Sequence, residues 1–214
     1  GLNALNYACY QGARFILVAT PSGLTLAPEG GAHQSIGTPL IGLTQDGLAA
    51  FEPAFADELA VILRWSFDYL QREDKGHAVD DLLDDAAGGS VYLRLSTRKI
   101  DQEKRNMTSS LASSVLAGGY WLREPGNGSE LSIVYSGALA PEAVAAHARV
   151  AQTHPDCGLL AVTSGDRLFR GWCAARRCEG VASHVENLLR PLSQRAKLVT
   201  IMDAHPATLS WLGG

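Results

Sequence analysis

The sequence predicts an α/β protein with two domains built on mainly parallel sheets. Three observations point there. Short apolar runs, RFILVAT at 14–20, SVYLRLST at 90–97, ELSIVYS at 130–136 and KLVTIM at 197–202, alternate with stretches of helical periodicity. Continuous apolar runs of this length fit strands covered on both faces, as parallel strands are. The chain has 214 residues, 46% of them hydrophobic, enough for one large or two small domains. A polar stretch divides it, giving a first unit at 1–98, a linker at 99–117 and a second unit at 118–214.

Leu2 to Gln11 reads as the tail of a helix. Arg14 to Thr20 is the first strand, bounded by Gly12 and Pro21, and Ile41 to Thr44 is expected as a short second one. Pro53 then opens a helix in which Phe55, Leu59, Ile62, Leu63, Ser66 and Leu70 recur at helical spacing. Asp57 and Glu58 complement its dipole. Trp65, Phe67 and Tyr69 make it apolar on more than one side, as in a well-buried helix. The charged loop 73–77 and a short acidic helix over Asp80 to Ala87 lead to the strand at 90–97.

Lys99 to Ala117 is polar and Ser/Thr-rich, with no strand period, and reads as a connection. The second unit opens with a short strand, Tyr120 to Arg123. Gly126–Asn127–Gly128 is a turn signal before the strand at 130–136. Helices are expected over Pro141 to Thr153, Arg167 to Arg176 and Val181 to Arg195. Strands are expected over Gly158 to Thr163 and Lys197 to Met202. The strand-end turns at Ser136–Gly137 and Thr163–Asp166 cap the helices that follow, with Asp166 as an N-cap.

Composition excludes several functions. The formal net charge is -4 with no basic block, so no nucleic-acid partner is expected. No apolar run approaches the roughly 18–20 residues of a membrane helix. No leader pattern opens the chain, and a cytoplasmic location is expected. Cys9, Cys157, Cys173 and Cys178 lack CxxC spacing and have no His pair at metal spacing, so they read as reduced thiols. The chain has no initiator Met, and both ends read as cut within folded elements, as in a piece of a longer enzyme.

The stretch with the strongest chemical signal is 27–40, APEGGAHQSIGTPL. It follows the C-terminal end of an apolar strand, the end where open α/β sheets bind ligands. Glu29 and His33 flank Gly30 and Gly31, residues that let a backbone approach a ligand closely. A carboxylate beside an imidazole that titrates near neutrality suits proton transfer.

PEGGAHQSIGTPL resembles the loop of transketolase-like thiamine diphosphate enzymes, in which an acidic residue stands four positions before a His-Gln pair. VYLRLSTR resembles the last strand of their pyrimidine-binding domain. GGYWLREPGNGSELSIVYSG and KLVTIMDAHPATLSWLGG resemble strands of their C-terminal domain. Over nearly the whole chain the resemblance is greatest to the homodimeric pyruvate dehydrogenase type, the decarboxylating component of 2-oxoacid dehydrogenase complexes.

The resemblance implies that residues 1–98 are the C-terminal half of a pyrimidine-binding domain and 118–214 a transketolase C-terminal-like domain. It implies His33 and Glu29 as catalytic residues, with Gln34 and Arg98 binding substrate. It implies thiamine diphosphate and Mg2+ for the full-length enzyme. The pyrophosphate-binding domain, with its Gly-Asp-Gly signature, is missing here. The cofactor-binding residues are therefore expected upstream of Gly1, with tight cofactor binding by this piece not expected and no metal site within it. Implied partners are a second copy in a homodimer, a lipoyl-bearing acyltransferase component and a small 2-oxoacid.

Two other readings stay open: ketol transfer of the transketolase type, and a non-catalytic dimerisation module. The Glu29-Gly-Gly-Ala sequence, where transketolases have Asp-Gly-Pro-Thr, disfavours sugar phosphates. Arg98 could equally be held in a salt bridge. Asp203–His205 is expected to be a strand-end turn with His205 hydrogen-bonded. His77, His147, His154 and His184 read as solvent-facing or structural.

Overall fold

A computed structural model describes residues 1–20, 23, 29–30, 35–73, 82–83, 85–178 and 180–213. Helix α1 (Leu2–Tyr10) leads to strand β1 (Ile16–Ala19). Helix α2 (Leu40–Thr44), strand β2 (Leu48–Phe51), helix α3 (Ala56–Leu70) and strand β3 (Ser90–Arg94) complete the first half. Its three strands lie in the order β1-β3-β2, all parallel, with Ile16 opposite Val91 and Leu48 opposite Ser90.

The second half begins with helix α4 (Ser109–Ala117) and strand β4 (Gly119–Arg123). Strand β5 (Ser129–Ser136), helix α5 (Ala140–Val150), strand β6 (Gly158–Val162) and helix α6 (Gly165–Ala175) follow. Helix α7 (His184–Leu189) and strand β7 (Leu192–Ile201) end the regular structure. The sheet order is β4-β6-β5-β7, parallel except for β4. The predicted α/β class with mainly parallel sheets is what the structure shows.

Several elements differ from their expected form. Residues 41–44 belong to a helix, not a strand. Pro39, which favours a helix start, stands at its N-cap. After the turn at Gly47, with φ +73, the second strand is the fully buried run Leu48–Phe51. The stretch 99–117 holds α4, capped by the Thr108 hydroxyl, which accepts from Leu111 N–H at 3.2 Å, and ended by left-handed Gly118. The helix expected over 181–195 stops at Leu189, because Pro191 cannot continue it, and β7 starts at Leu192. Within 80–87 the described helical residues are a single 3-10 turn, Asp85–Ala87.

The apolar runs of β1 and β7, both edge strands, are not covered on both faces. Leu17, Val18 and Val199 are exposed. The α3 stripe, by contrast, is core as expected, but Phe67, expected to help bury the helix on a second side, is exposed. Ile62, Trp65 and Tyr69 are buried in one cluster that also takes Phe51, Val91 and Leu93 from the first sheet and Tyr120, Ile133, Tyr135 and Leu159 from the second. Trp65 stacks on Tyr69 with ring centroids 4.4 Å apart and meets Phe51 edge-on at 5.5 Å.

His184 and His147 are structural: their Nε2 atoms bond the carbonyls of Gly119 at 2.7 Å and Cys157 at 2.8 Å. The four cysteines are free. No helix among the described residues is long and apolar enough to cross a membrane.

Candidate active site

The C-terminal ends of β2, β3, β5 and β6 converge on a crevice between the two halves. Its walls carry Glu52, Tyr92, Arg94, Ser136, Asp166 and Thr208. Glu52 follows β2, and Arg94 ends β3. Arg94 is ion-paired to Glu52 and lies 3.6 Å from Asp203, which follows β7. A charge buried this deeply is tolerable only when paired. Burial pushes the Glu52 carboxyl up to about 7; the Arg94 guanidinium opposes the shift and the neighbouring Asp203 adds to it.

Asp166 is not the N-cap of α6. That position is Ser164, whose hydroxyl accepts from Arg167 N–H at 3.0 Å. The Asp166 carboxylate instead reaches across to β2. It accepts from Ala50 N–H at 3.0 Å and from Arg170 Nε at 2.6 Å. Arg170 also donates to the carbonyls of Leu48, at 3.1 Å, and Gln45. Burial raises the Asp166 pKa to about 6 despite the Arg170 charge. The Thr208 hydroxyl oxygen is buried with no hydrogen-bond partner among the described residues.

These two carboxyls set a pH dependence. Each binds its proton more tightly in the folded chain than in the unfolded one. Their stabilising contribution is therefore complete below about pH 4 and is lost as pH rises through 6 to 7. Glu52→Gln is expected to flatten the fall in unfolding free energy between pH 5 and pH 8, by on the order of 1–3 kcal/mol across that range. Parallel profiles for Glu52→Gln and the parent would refute the assignment.

The predicted site residues are placed as follows. Glu29 is exposed and Gly30 beside it has φ +103, a conformation that suits glycine. His33 and Gln34 lie outside the described residues, as does His77. Arg98 is not in the crevice. It donates to both oxygens of Glu142 on α5, at 2.6 and 2.8 Å, and to the Ala138 carbonyl at 3.0 Å. The pair is half-exposed, so its net contribution is about 0–1 kcal/mol. The His205 ring accepts from Ala207 N–H at 3.2 Å, the hydrogen-bonded turn that was expected.

Sequence reading missed Glu52, Arg94, Asp166 and Arg170 as neighbours. The available signal was an arginine inside the apolar run SVYLRLST and a glutamate directly after LAAF, both at strand ends. A diphosphate does not fit this crevice: the carboxylates of Glu52 and Asp166 line it, the Asp203 carboxylate backs it, and Arg94 is already committed to carboxylates. Among the described residues no three His, Cys, Asp or Glu side chains are grouped as metal ligands.

No protein-family model and no curated protein sequence matches the chain. Solved structures do. Transketolase from Leishmania mexicana superposes with a TM-score of 0.70 at 15% identity, over 97% of this chain and 26% of that one. Transketolase from Campylobacter jejuni gives 0.65 at 14%, over 98% and 28%. A split gene transketolase, an inactive β4 tetramer, gives 0.52 at 16%, over 96% and 64%. The chain thus has the fold of transketolases over about a quarter of the length of the first two.

Proposed function

We propose that this chain is the rear part of a thiamine diphosphate-dependent 2-oxoacid dehydrogenase component, the pyruvate-decarboxylating type. The observation that carries the reading is the Glu29-Gly-Gly-Ala-His33-Gln34 pattern in the stretch of sequence that follows the parallel strand β1. His33 donates a proton or hydrogen bond to the oxygen of the reacting carbonyl, and Glu29 holds substrate or water and tunes the imidazole. Gln34 orients the pair. The cofactor, which residues outside this chain would hold with Mg2+, would supply the electron sink. The working enzyme is a homodimer in the cytoplasm that passes its acyl group to a lipoyl-bearing acyltransferase.

A second reading is ketol transfer between sugars. The likeness in fold to transketolases supports it equally well. The full-length enzyme separates the two. Decarboxylation of pyruvate with reductive acetylation of a lipoyl domain is expected. Ketol transfer from xylulose phosphate in its place would overturn the first reading in favour of the second. His33→Ala in that enzyme is expected to lower turnover by about 10²-fold. An unchanged rate would return His33 to a structural role.

A further inference from the structure

We infer that residues Thr163–Arg170 of the second half act as a surrogate strand for the first sheet, an edge guard that keeps β2 from pairing with the β2 of a second copy. The inference rests on four hydrogen bonds that follow the two-residue period of a strand.

Strand β2, with the sequence LAAF, is fully buried and uncharged, and the order β1-β3-β2 leaves it at the edge of its sheet. The Gly47 carbonyl accepts from Ser90 N–H at 2.9 Å, and β2 runs parallel to β3 with Ala49 opposite Val91. The peptide groups of a strand point alternately to its two sides. Gly47, Ala49 and Phe51 therefore turn theirs toward β3, while Leu48, Ala50 and Glu52 turn theirs outward. The second half meets each of these three residues. Arg170 donates to the Leu48 carbonyl at 3.1 Å. The Asp166 carboxylate accepts from Ala50 N–H at 3.0 Å, and the Ser164 hydroxyl donates to the Ala50 carbonyl. The Thr163 carbonyl accepts from Glu52 N–H at 2.7 Å.

One of these partners is backbone and three are side chains at the start of α6. All are held in place. Thr163, Ser164 and Asp166 are buried. Ser164 also caps α6 through Arg167 N–H, and Asp166 is tied to Arg170 at 2.6 Å. Helix α2 closes over the contact from a third side. A Cβ at Gly42 would lie 2.3 Å from the Ala50 Cβ and 3.2 Å from the Asp166 Cβ, so no side chain fits there. Side chains suit a guard, because they satisfy the edge without extending the ladder. A further strand would only move the open edge outward. Without the guard, a short apolar edge with unpaired peptide groups is a template for another strand. A second copy offers the same uncharged run, with no like charges to oppose the pairing.

Asp166→Ala removes the acceptor of the Ala50 N–H and leaves the β3 side of the strand untouched. Hydrogen exchange is read at single residues in the full-length protein, by fragmenting the peptide that spans β2. Ala50 is expected to exchange about 10-fold faster than in the parent, with Ala49 and Phe51 changed by less than about 2-fold. Asp166→Asn, which keeps an oxygen for that N–H, should restore most of the protection. Equal acceleration at the three residues, or none at Ala50, overturns the surrogate strand. Sedimentation velocity tests the guard. Asp166→Ala is expected to form species larger than the parent's as concentration rises, and Ala50 exchange should slow again as they form, because the β2 of a second copy then covers it. Absence of larger species, or larger species in which Ala50 stays fast, overturns the guard. Should Asp166→Ala not fold, Arg170→Met, which releases the Asp166 carboxylate from its guanidinium, gives the same two readings.

Discussion

Glu58→Ala is expected to destabilise the chain by roughly 3–5 kcal/mol, read as a shift in the urea midpoint at constant m-value. Glu58 is fully buried at the start of α3. Its Oε2 accepts from Ala54 N–H at 2.7 Å and Phe55 N–H at 3.0 Å, orphan donors at a helix N-terminus. Its Oε1 takes the Tyr120 hydroxyl and, at 3.3 Å, the Arg105 guanidinium. Arg105 is tied further to Asp57, at 2.7 and 2.8 Å, and to Tyr120. Burial and the Glu58 charge raise the Tyr120 pKa. Burial opposes the Arg105 charge, but its bonds to Asp57 and Tyr120 prevail and raise its pKa. Removing the carboxylate leaves two N–H groups and the Tyr120 O–H without an acceptor in a water-poor site, and it takes away one of the two carboxylates that face Arg105. The network joins α3 to the 99–108 stretch and to β4, so the loss falls on the contact between the halves. A cost below about 1 kcal/mol would mean that the network is not satisfied as described.

Arg167→Met is expected to cost about 2–4 kcal/mol by the same measurement. The Arg167 side chain is 4% exposed. It donates to both oxygens of Asp85, at 2.8 and 2.6 Å, and to the Leu116 carbonyl. Its guanidinium carbon lies 4.7 Å from the Trp65 ring centroid and 5.6 Å from that of Phe51. Methionine replaces the stem but leaves a carboxylate and a carbonyl unpaired and removes the cation from the rings. Asp85→Asn, which keeps the shape, should cost less than half as much. Equal costs for the two variants would show that the rings contribute nothing.

The alternation of strands and helices was legible because apolar runs and helical periods differ in length and spacing. The α3 stripe from Phe55 to Leu70 is the clearest case. Edges were not legible. Leu17–Val18 and Val199 sit in runs as apolar as those of β3, and hydrophobicity does not report which strand ends a sheet. The four residues 41–44 were too short for period to decide between helix and strand. In the candidate site, the Glu29–His33 pattern was visible as chemistry on one loop. The charges of the crevice were not, because their partners are remote. Arg94 finds Glu52 at a separation of 42 residues, and Asp166 finds Ala50 at 116. Local reading therefore gave Asp166 a local task, capping, which Ser164 performs instead.

The core that runs from Phe51 and Trp65 into Tyr135 and Leu159 bears on how the chain acquires its structure. Neither sheet can bury its aromatic side of α3 without the other, so the native contacts form late and together. Parallel pairing already demands long loop closures. Slow folding is the expected consequence. A chain emerging during synthesis would expose Trp65 and Tyr69 until β5 and β6 had been made, and this interval is when chaperones would be needed most.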